Sequence, residues 1–423
     1  MGKFNRRTFL RHSALAGGFA LAVEGMLTRA DLFTTGGSRA LAAGPGYGPL
    51  LPTATLNTGE LLLALPEGFQ YTVIGRSGVA MSDGQITPGA HDGMATFADG
   101  NKIRLVRNHE QGPGAPFTNQ PYDTLASGGT TTLVVNPVTR LVEKDFASLS
   151  GTIRNCAGGA TPWGSWLTCE ETTVGRYSTP TQNEPHGYVF EVPASANGVV
   201  APVPLKAMGR FSHEATAIDP ATNFVYQTED AGINSGFYRF LPNKPNVKGK
   251  ADLAAGGLLQ MLAVKNSPKY DTRTNQTAGA DLPVVWVDIK NPDPFLENGA
   301  RTVFAQGYAK GAARFARLEG AWYGDGNIYF DSTSAGNVGQ GQIWRFRPTS
   351  AGEGILTLLF ESPSAEVLNA PDNLCVNPHG GLVLCEDGGG EEFVHILRPN
   401  GEIFKFIKNI VPGFESSEFA GST

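Results

Sequence analysis

The sequence has little of what marks several large classes of protein. Basic residues do not outnumber acidic ones, because 33 Lys and Arg stand against 39 Asp and Glu, a net charge of -6. Proteins that bind nucleic acid are usually basic, so this balance argues against such a partner. There is no Gly-X-Y period, and no hydrophobic run predicts a stable membrane span. With 41% hydrophobic and 17% charged residues, the chain is too apolar to be disordered.

Glycine and proline are abundant instead. The 54 Gly and 28 Pro indicate many tight turns, which are typical of an all-β protein. The four cysteines are Cys156, Cys169, Cys375 and Cys385. Cys375 and Cys385 could form a bridge across a hairpin centred near Gly380, although thiols of a protein that folds in the cytoplasm stay reduced.

The N-terminal residues predict export. Asn5–Arg11 is similar to the twin-arginine signal, a weakly apolar run extends from Ala14 to Leu27, and Ala40-Leu41-Ala42 offers a small-x-small cleavage site. We therefore expect a signal peptide at residues 1–42, recognition by the twin-arginine export machinery, and a periplasmic or secreted protein. The alternative is an amphipathic N-terminus that carries no targeting signal. Because the twin-arginine pathway carries folded proteins, a metal centre assembled in the cytoplasm would explain its use.

Short β-rich segments repeat along the rest of the chain. The first strand of each repeat begins near an acid or a cysteine, at spacings of 64, 58, 105 and 53 residues: Asp92, Cys156, Glu214, Glu319 and Asp372. The second strand ends in acidic or small polar residues at spacings of 61, 59, 104 and 53. The third strand ends at a proline: Pro137, Pro193, Pro242, Pro348 and Pro399. Repeats of three or four strands at this period are typical of β-propeller blades.

These repeats predict an all-β protein, a six-bladed β-propeller whose last blade is incomplete and shared between the termini. A sixth inner strand begins at Glu418, and a strand at Phe69–Gly75 would complete that blade. We expect one domain at residues 43–423, with an insertion at about 243–282 followed by an outer strand at Val284–Ile289. The alternative fold is two stacked β-sandwiches.

In such a propeller the first strands line the central channel, so their acids converge at one mouth with the ends of the second strands. Unit charges about 4 Å apart repel by roughly 4 kcal/mol at an effective dielectric constant near 20. Either the pKa values rise or cations neutralise the acids. Because few basic residues accompany these motifs, we expect multivalent metal ions. Oxygen ligands favour calcium, whereas a thiolate with carboxylates suits iron or zinc.

Eight motifs resemble those of the PhoX-type alkaline phosphatases. They occur in collinear order: Arg107–Glu110, Asn155–Glu171, Gly209–Ala215, Tyr226–Asp230, Arg317–Tyr323, Phe330–Gly336, Pro371–Gly388 and Ser417–Gly421. The resemblance covers residues 60–423. It implies a six-bladed propeller that uses a mixed cluster of Fe(3+) and Ca(2+) to hydrolyse small-molecule phosphate monoesters. In that family another pair of strands follows the last motif, whereas this chain stops at Thr423, which predicts a short last blade or a truncated gene product.

The resemblance also implies roles for single residues. Cys156 looks like a thiolate ligand of iron, Glu214 like a second iron ligand and Glu319 like a calcium ligand, while Arg317 looks like the phosphate clamp. Further ligands or ligand supports would be Glu110, Glu171, Glu229, Asp372 and Glu386. Asn108 and His213 would position the substrate or support the ligands.

Two other functions remain open from the sequence. A calcium-only lactonase or phosphotriesterase-like hydrolase could use a similar propeller, but it would need no thiolate at Cys156. A non-enzymatic binding propeller would carry aromatic and apolar loops at the mouth, whereas the loops here are acidic and small. No serine lies in a nucleophile elbow and no glycine-rich P-loop is present, so the sequence favours metal-assisted hydrolysis over a protein nucleophile. A monomer is a separate expectation that no motif fixes.

Overall fold

A computed structural model describes residues 46–423 of the chain, and the predicted signal peptide at 1–42 lies outside the described residues. Residues 46–423 form twenty-two β-strands, one short α-helix, α1 (Val303–Ala309), and three single-turn 3-10 helices at Lys206–Met208, Leu253–Ala255 and Leu296–Asn298. The first eleven strands are β1 (Leu51–Ala54), β2 (Leu61–Leu65), β3 (His91–Asp99), β4 (Lys102–His109), β5 (Gly128–Val135), β6 (Val142–Thr152), β7 (Asn155–Ala160), β8 (Ser165–Glu170), β9 (Val189–Pro193), β10 (His213–Ile218) and β11 (Val225–Glu229). The others are β12 (Phe237–Pro242), β13 (Gly257–Val264), β14 (Asp281–Asp288), β15 (Leu318–Gly324), β16 (Asn327–Ser332), β17 (Gln342–Pro348), β18 (Glu353–Glu361), β19 (Pro371–Val376), β20 (Leu382–Glu386), β21 (Phe393–Leu397) and β22 (Ile403–Asn409).

The strands form five antiparallel blades around a channel. The blades are β3–β6, β7–β9, β10–β14, β15–β18 and β19–β22. Their first strands contact one another in the order β3, β7, β10, β15 and β19, so they line the channel. At the periphery β14 pairs with β18, which joins the third and fourth blades edge to edge. This pairing covers two sheet edges that would otherwise be open to association with other chains.

The C-terminal segment, residues 418–423, occupies the sixth position of the ring between the first and fifth blades. On the side of the first blade, the Thr96 backbone N–H donates to Thr423 Oγ1 at 3.4 Å. On the side of the fifth blade, the Phe419 N–H donates to the Glu386 carbonyl at 3.2 Å. The fold is therefore the predicted all-β propeller, with an incomplete sixth blade.

The N-terminal contribution differs in detail from the prediction. Residues 69–75 form no strand; instead, the Tyr71 hydroxyl donates to the Thr53 carbonyl and accepts from the N–H groups of Leu62 and Leu63. The β1–β2 hairpin carries the N-terminal strands, and β2 pairs with β22 of the fifth blade. In place of the expected strand, this segment packs Tyr71 against the β1–β2 hairpin.

The range predicted as an insertion contains part of a blade. Strand β13 (Gly257–Val264) pairs with β12 over five residues and is the fourth strand of the third blade. Strand β14 follows as a fifth strand and covers most of the predicted outer strand. Residues 243–282 therefore supply one strand of the sheet as well as the connections on either side of it.

The largest apolar cluster lies where the third and fourth blades meet. Phe237 and Phe330 are fully buried and stack with ring centroids 4.2 Å apart, and Trp344 and Phe346 pack in the same cluster. Burying one such aromatic side chain contributes roughly 1.5–3 kcal/mol. This packing fixes the two blades whose inner strands carry Glu214 and Glu319.

All four cysteines are buried free thiols. Strands β19 and β20 form the hairpin expected around Gly380, but Cys375 pairs with Val383 and Cys385 pairs with Asn373. The two thiols therefore occupy diagonal positions, and no bridge forms. No helix among residues 46–423 is long and apolar enough to cross a membrane.

Candidate metal centre

The five inner strands share one irregularity that aims a side chain into the channel mouth. In each inner strand the antiparallel register with the second strand shifts immediately after the first residue pair, as in a β-bulge. A bulge bends the strand and re-aims the side chains beside it. The second residue of each strand lies in this bulge: Asp92, Cys156, Glu214, Glu319 and Asp372. The repeat in the sequence therefore corresponds to an equivalent position in all five blades.

A backbone hydrogen bond closes each bulge at the mouth. The residue after each second strand donates its N–H to the carbonyl of the residue two positions before the inner-strand acid or thiol. The pairs are Glu110 to Ala90, Glu171 to Arg154, Asp230 to Ser212, Thr333 to Arg317 and Asp387 to Ala370, at 2.8–3.1 Å. Four of the five acceptor residues have positive φ, between 39° and 51°, which non-glycine residues adopt at a cost. The mouth is therefore a repeated, strained loop-to-strand junction.

Two groups of potential ligands converge at this mouth. Cys156, Glu171 and Glu214 bring one ligand atom each within 4.8 Å of one another, and we call them the thiol cluster. Asp92, Glu110 and Glu418 do the same and form the carboxylate cluster. All six residues stand at positions that the sequence repeat predicts for the channel mouth, and Glu418 comes from the C-terminal segment. The two clusters bring residues from the first, second, third and sixth positions of the ring to one mouth.

Burial and mutual repulsion disfavour the charged forms of these groups. Burial, together with Asp372, Glu110 and Glu418, raises the pKa of Asp92 well above its ordinary value. Burial and the neighbouring carboxylates raise the pKa of the Cys156 thiol in the same way. The pKa of Glu171 rises to about 7 because its burial outweighs the effect of Arg154. Such groups are stabilised as anions only when positive charge is brought to them.

Glu319 and Asp372 extend the acidic mouth toward the fourth and fifth blades. Burial, Asp372 and Asp230 raise the pKa of Glu319, whereas the nearby Arg317 lowers it. Burial, Glu418 and Asp387 raise the pKa of Asp372. Both side chains therefore belong to the same electrostatic network as the two clusters.

Arg317 lies among these acids at the mouth. Its Nε donates to Asp230 Oδ2 at 3.1 Å, and its Nη2 lies 3.0 Å from Glu319 Oε1. The side chain is 38% exposed, so part of the guanidinium faces solvent. Partial burial opposes its charged form, but Glu319 and Asp230 together raise its pKa. Arg317 is therefore a permanently charged donor beside the acids.

Asn108 lies beneath the thiol cluster rather than facing the mouth. Its Nδ2 donates to the carbonyls of Cys156 and Ala157 at 3.0 and 2.8 Å. Its Oδ1 accepts from Trp166 Nε1 and Thr168 Oγ1, both at 2.8 Å. Because its amide is fully engaged within the protein and fully buried, Asn108 supports the backbone of Cys156.

His213 also supports the site from within. Its ring is fully buried, stacks on Phe211 at 3.6 Å and contacts the Gly209 carbonyl through Nε2 at 3.0 Å. Burial lowers its pKa to about 3, so the ring is neutral. The His213 carbonyl accepts from the Cys156 thiol at 3.3 Å. Of the two roles that the sequence left open for His213, this backbone contact to Cys156 fits the support of a ligand.

Glu229 and Glu386 face the interior of their own blades. Glu229 accepts from Tyr238 Oη at 2.5 Å and from the Gly236 N–H at 3.0 Å. Glu386 accepts from the N–H groups of Asn369 and Phe393 and lies 2.8 Å from His395 Nε2. These contacts occupy both carboxylates, and the structure brings neither into the two clusters. Glu170 is their equivalent in the second blade.

The difference from the sequence interpretation is one residue in register. Glu170, Glu229 and Glu386 each pair with the first residue of an inner strand, so they are equivalent. The residues that follow them face the mouth instead: Glu171, Asp230 and Asp387. The candidate set therefore combines Glu171, which follows the last residue of its strand, with Glu229 and Glu386, which are the last residues of theirs. Aligning the paired acids of these three blades by their second member would have selected Asp230 and Asp387.

A family model described as "Alkaline phosphatase PhoX" matches residues 46–422. A search of curated proteins found no match. Among solved structures, the chain is similar to a gluconolactonase from Xanthomonas campestris, with 13% identity, a TM-score of 0.41, and 88% of this chain and 90% of that chain covered. It is also similar to a PQQ-bound aldose sugar dehydrogenase from Streptomyces coelicolor, with 12% identity, a TM-score of 0.39, and 84% and 95% covered. Similarity at this level carries no argument about function.

Proposed function

Because the chain belongs to the PhoX family of alkaline phosphatases, we propose that it hydrolyses phosphate monoesters at the channel mouth with a mixed iron and calcium cluster. The observation that carries the proposal is the thiol cluster. In it the buried Cys156 stands at the inner-strand position that holds a carboxylate in the other four blades, and it lies beside two glutamates. A calcium-only hydrolase has no use for that thiol.

The donor sets fit two kinds of cation. In the thiol cluster, Cys156, Glu171 and Glu214 offer one sulfur and carboxylate oxygens, a set that suits iron. In the carboxylate cluster, Asp92, Glu110 and Glu418 offer only oxygen, a set that suits calcium. We assign Glu319 and Asp372 as further oxygen ligands beside these clusters. Bound cations would supply positive charge for the phosphoryl oxygens and increase the acidity of water.

The residues of the chain have separate roles in this proposal. Arg317 holds the phosphoryl group, since its charged guanidinium is partly exposed beside the acids and can donate two hydrogen bonds to one phosphate. Asn108 and His213 hold the backbone and thiol of Cys156 in place. Glu229 and Glu386 fix the loops that lead into their third strands.

The same proposal includes the cellular context. We infer that residues 1–42 direct export through the twin-arginine machinery, and that residues 43–423 act as one periplasmic or secreted propeller domain. Small phosphate esters are the substrates, and a monomer contains all the residues assigned here.

The test combines metal analysis with an activity assay. Protein purified from an iron-replete culture is analysed for iron and calcium and assayed with 4-nitrophenyl phosphate. We expect both metals and hydrolysis of the monoester. Full activity in protein that contains calcium but no iron would reject the mixed cluster. Hydrolysis of a lactone or phosphotriester without hydrolysis of the monoester would support the calcium-only alternative.

A further inference from the structure

Arg154 occupies the same position in the second blade as Arg317 does in the fourth. Arg154 precedes Cys156 by two residues, and Arg317 precedes Glu319 by two. Both residues have positive φ, 50° and 39°, and both carbonyls accept the N–H of the residue after the second strand. The two arginines are therefore equivalent by backbone conformation and hydrogen bonding as well as by sequence spacing.

The two guanidinium groups also make the same kind of contact. Arg154 donates from Nε to Glu110 at 3.2 Å and from Nη2 to Glu171 at 2.5 Å. Arg317 uses its Nε and Nη2 for Asp230 and Glu319. In residues 46–423, neither Nη1 has a protein hydrogen-bond partner, and the Arg154 side chain is 49% exposed. Each arginine therefore keeps donor capacity that faces away from its acids.

Glu171 links the two arginines electrostatically. Arg154 and Arg317 both act on this carboxylate and favour its charged form, although they belong to different blades. Arg154 also connects the two clusters, because Glu110 belongs to the carboxylate cluster and Glu171 to the thiol cluster. Its guanidinium thus lies between the sites at which the proposed cations would bind.

The other blades carry no positive charge at this position. The equivalent residues are small and uncharged: Ala90, Ser212 and Ala370. A side chain needed only to support the bulge would not have to be arginine, since the backbone hydrogen bond forms with alanine and serine as well. The charge at position 154 therefore needs its own explanation.

We propose that Arg154 is a second substrate-binding arginine, which holds the phosphoryl group from the second blade while Arg317 holds it from the fourth. This inference rests on the proposed function. The two arginines bind a dianionic phosphoryl group from two sides, and they favour monoesters over diesters, whose single negative charge needs less compensation. Charge-assisted hydrogen bonds of this kind are roughly twice as strong as neutral ones.

The experiment measures inorganic phosphate binding to metal-loaded protein by calorimetry, for wild type, Arg154→Gln, Arg154→Lys and Arg317→Gln. We expect the Kd to rise roughly tenfold to a hundredfold in Arg154→Gln and in Arg317→Gln, and less in Arg154→Lys, which keeps the charge. Iron and calcium contents are measured on the same samples and should match the wild type. The ratio of kcat/KM for a phenyl phosphate monoester over the corresponding diester should fall in Arg154→Gln.

Arg140→Gln is the matched control. Arg140 is exposed, also has a positive φ of 59°, and lies in the turn between β5 and β6, away from the mouth. This variant removes the same charge and should leave the phosphate Kd unchanged.

The outcomes separate the two proposals. An Arg154→Gln variant that binds phosphate as tightly as the wild type would reject the role of Arg154 alone. Altered metal content with an unchanged phosphate Kd would show that Arg154 only neutralises Glu110 and Glu171. A metal-loaded wild type that neither binds phosphate nor hydrolyses the monoester would reject the proposed function and this inference together.

Discussion

Glu170 and Glu171 are neighbours in the chain, but their carboxylates lie in different parts of the molecule. Glu170 is fully buried and accepts from the N–H groups of Ile153 and Gly187 and from His186 Nδ1, at 2.6–3.0 Å. Glu171 faces the channel mouth, where it contacts Arg154 and belongs to the thiol cluster. One residue of register therefore separates a carboxylate that holds a loop from one that can hold a metal ion.

This relationship predicts opposite effects for two matched substitutions. Glu170→Gln should lower the free energy of unfolding by about 1–3 kcal/mol, because it replaces an acceptor of four buried hydrogen bonds, the fourth from the Tyr188 N–H. Glu171→Gln should change stability less but reduce the content of bound metal. Denaturant unfolding and metal analysis of both variants check this. Loss of metal in Glu170→Gln at full stability would contradict the assignment of the two roles.

Cys156 and Cys169 provide a second matched pair. We expect Cys156→Ser to stay folded but to lose iron, most activity and any visible absorption band that its thiolate gives with ferric iron. Cys169 packs instead in the apolar cluster with Leu167 and Val189. Cys169→Ser should therefore keep its iron and absorption, and lose about 1–3 kcal/mol of stability because a hydroxyl is buried there. Absorption spectra, iron content and thermal unfolding of both variants separate these roles. A Cys156→Ser variant with wild-type iron and activity would refute the thiolate assignment.

The sequence repeat predicts most of the fold. The inner positions were predicted because each blade repeats the same strand order, and the structure places Asp92, Cys156, Glu214, Glu319 and Asp372 at the second residue of each inner strand. A period of 50 to 60 residues is visible without knowing any contact. The edge pairing of β14 with β18 was not visible, since strand pairing between blades leaves no period in the sequence.

The side-chain directions at the mouth were harder to predict. The side chains of a strand alternate between two faces, so an error of one residue exchanges a ligand for a structural acid. The bulges make this alternation irregular where the acids lie, and Glu229 and Glu386, expected as ligands or ligand supports, hydrogen-bond within their own blades. The sequence left two roles open for Asn108 and His213, substrate positioning or ligand support. Asn108 contacts the backbone of β7, and His213 contacts the Gly209 carbonyl just before its own strand.

The export prediction is tested on residues that precede the described part of the chain. Replacing both Arg6 and Arg7 with Lys should leave unprocessed precursor in the cytoplasm, because the pathway recognises the arginine pair. Cell fractionation and immunoblotting of the double variant measure this, and Lys3→Arg serves as a control that keeps the pair intact. Normal export of the double variant would contradict the twin-arginine assignment.

Removal of the metals should make stability depend on pH in a direction set by the raised pKa values. Burial raises the pKa of Glu171 and of Glu418 to about 7 in the folded protein, compared with the ordinary value of 4.5. The folded state therefore binds more protons than the unfolded state between these values. The contribution of these groups to stability is fully present below pH 4.5 and is lost as the pH rises through about 7.

We therefore expect metal-free protein to have a lower Tm at pH 8 than at pH 5, by at least about 1 °C, the shift expected for roughly 1 kcal/mol in a domain of this size. Adding iron and calcium should raise the Tm more at pH 8, because ligands must lose their protons to bind cations. The double variant Glu171→Gln, Glu418→Gln should have a smaller difference between the two pH values, since neither amide titrates. Thermal unfolding followed by circular dichroism measures all three effects. A metal-free wild type that becomes more stable from pH 5 to pH 8 would show that the acids at the mouth are already compensated by Arg154 and Arg317 and need no cation.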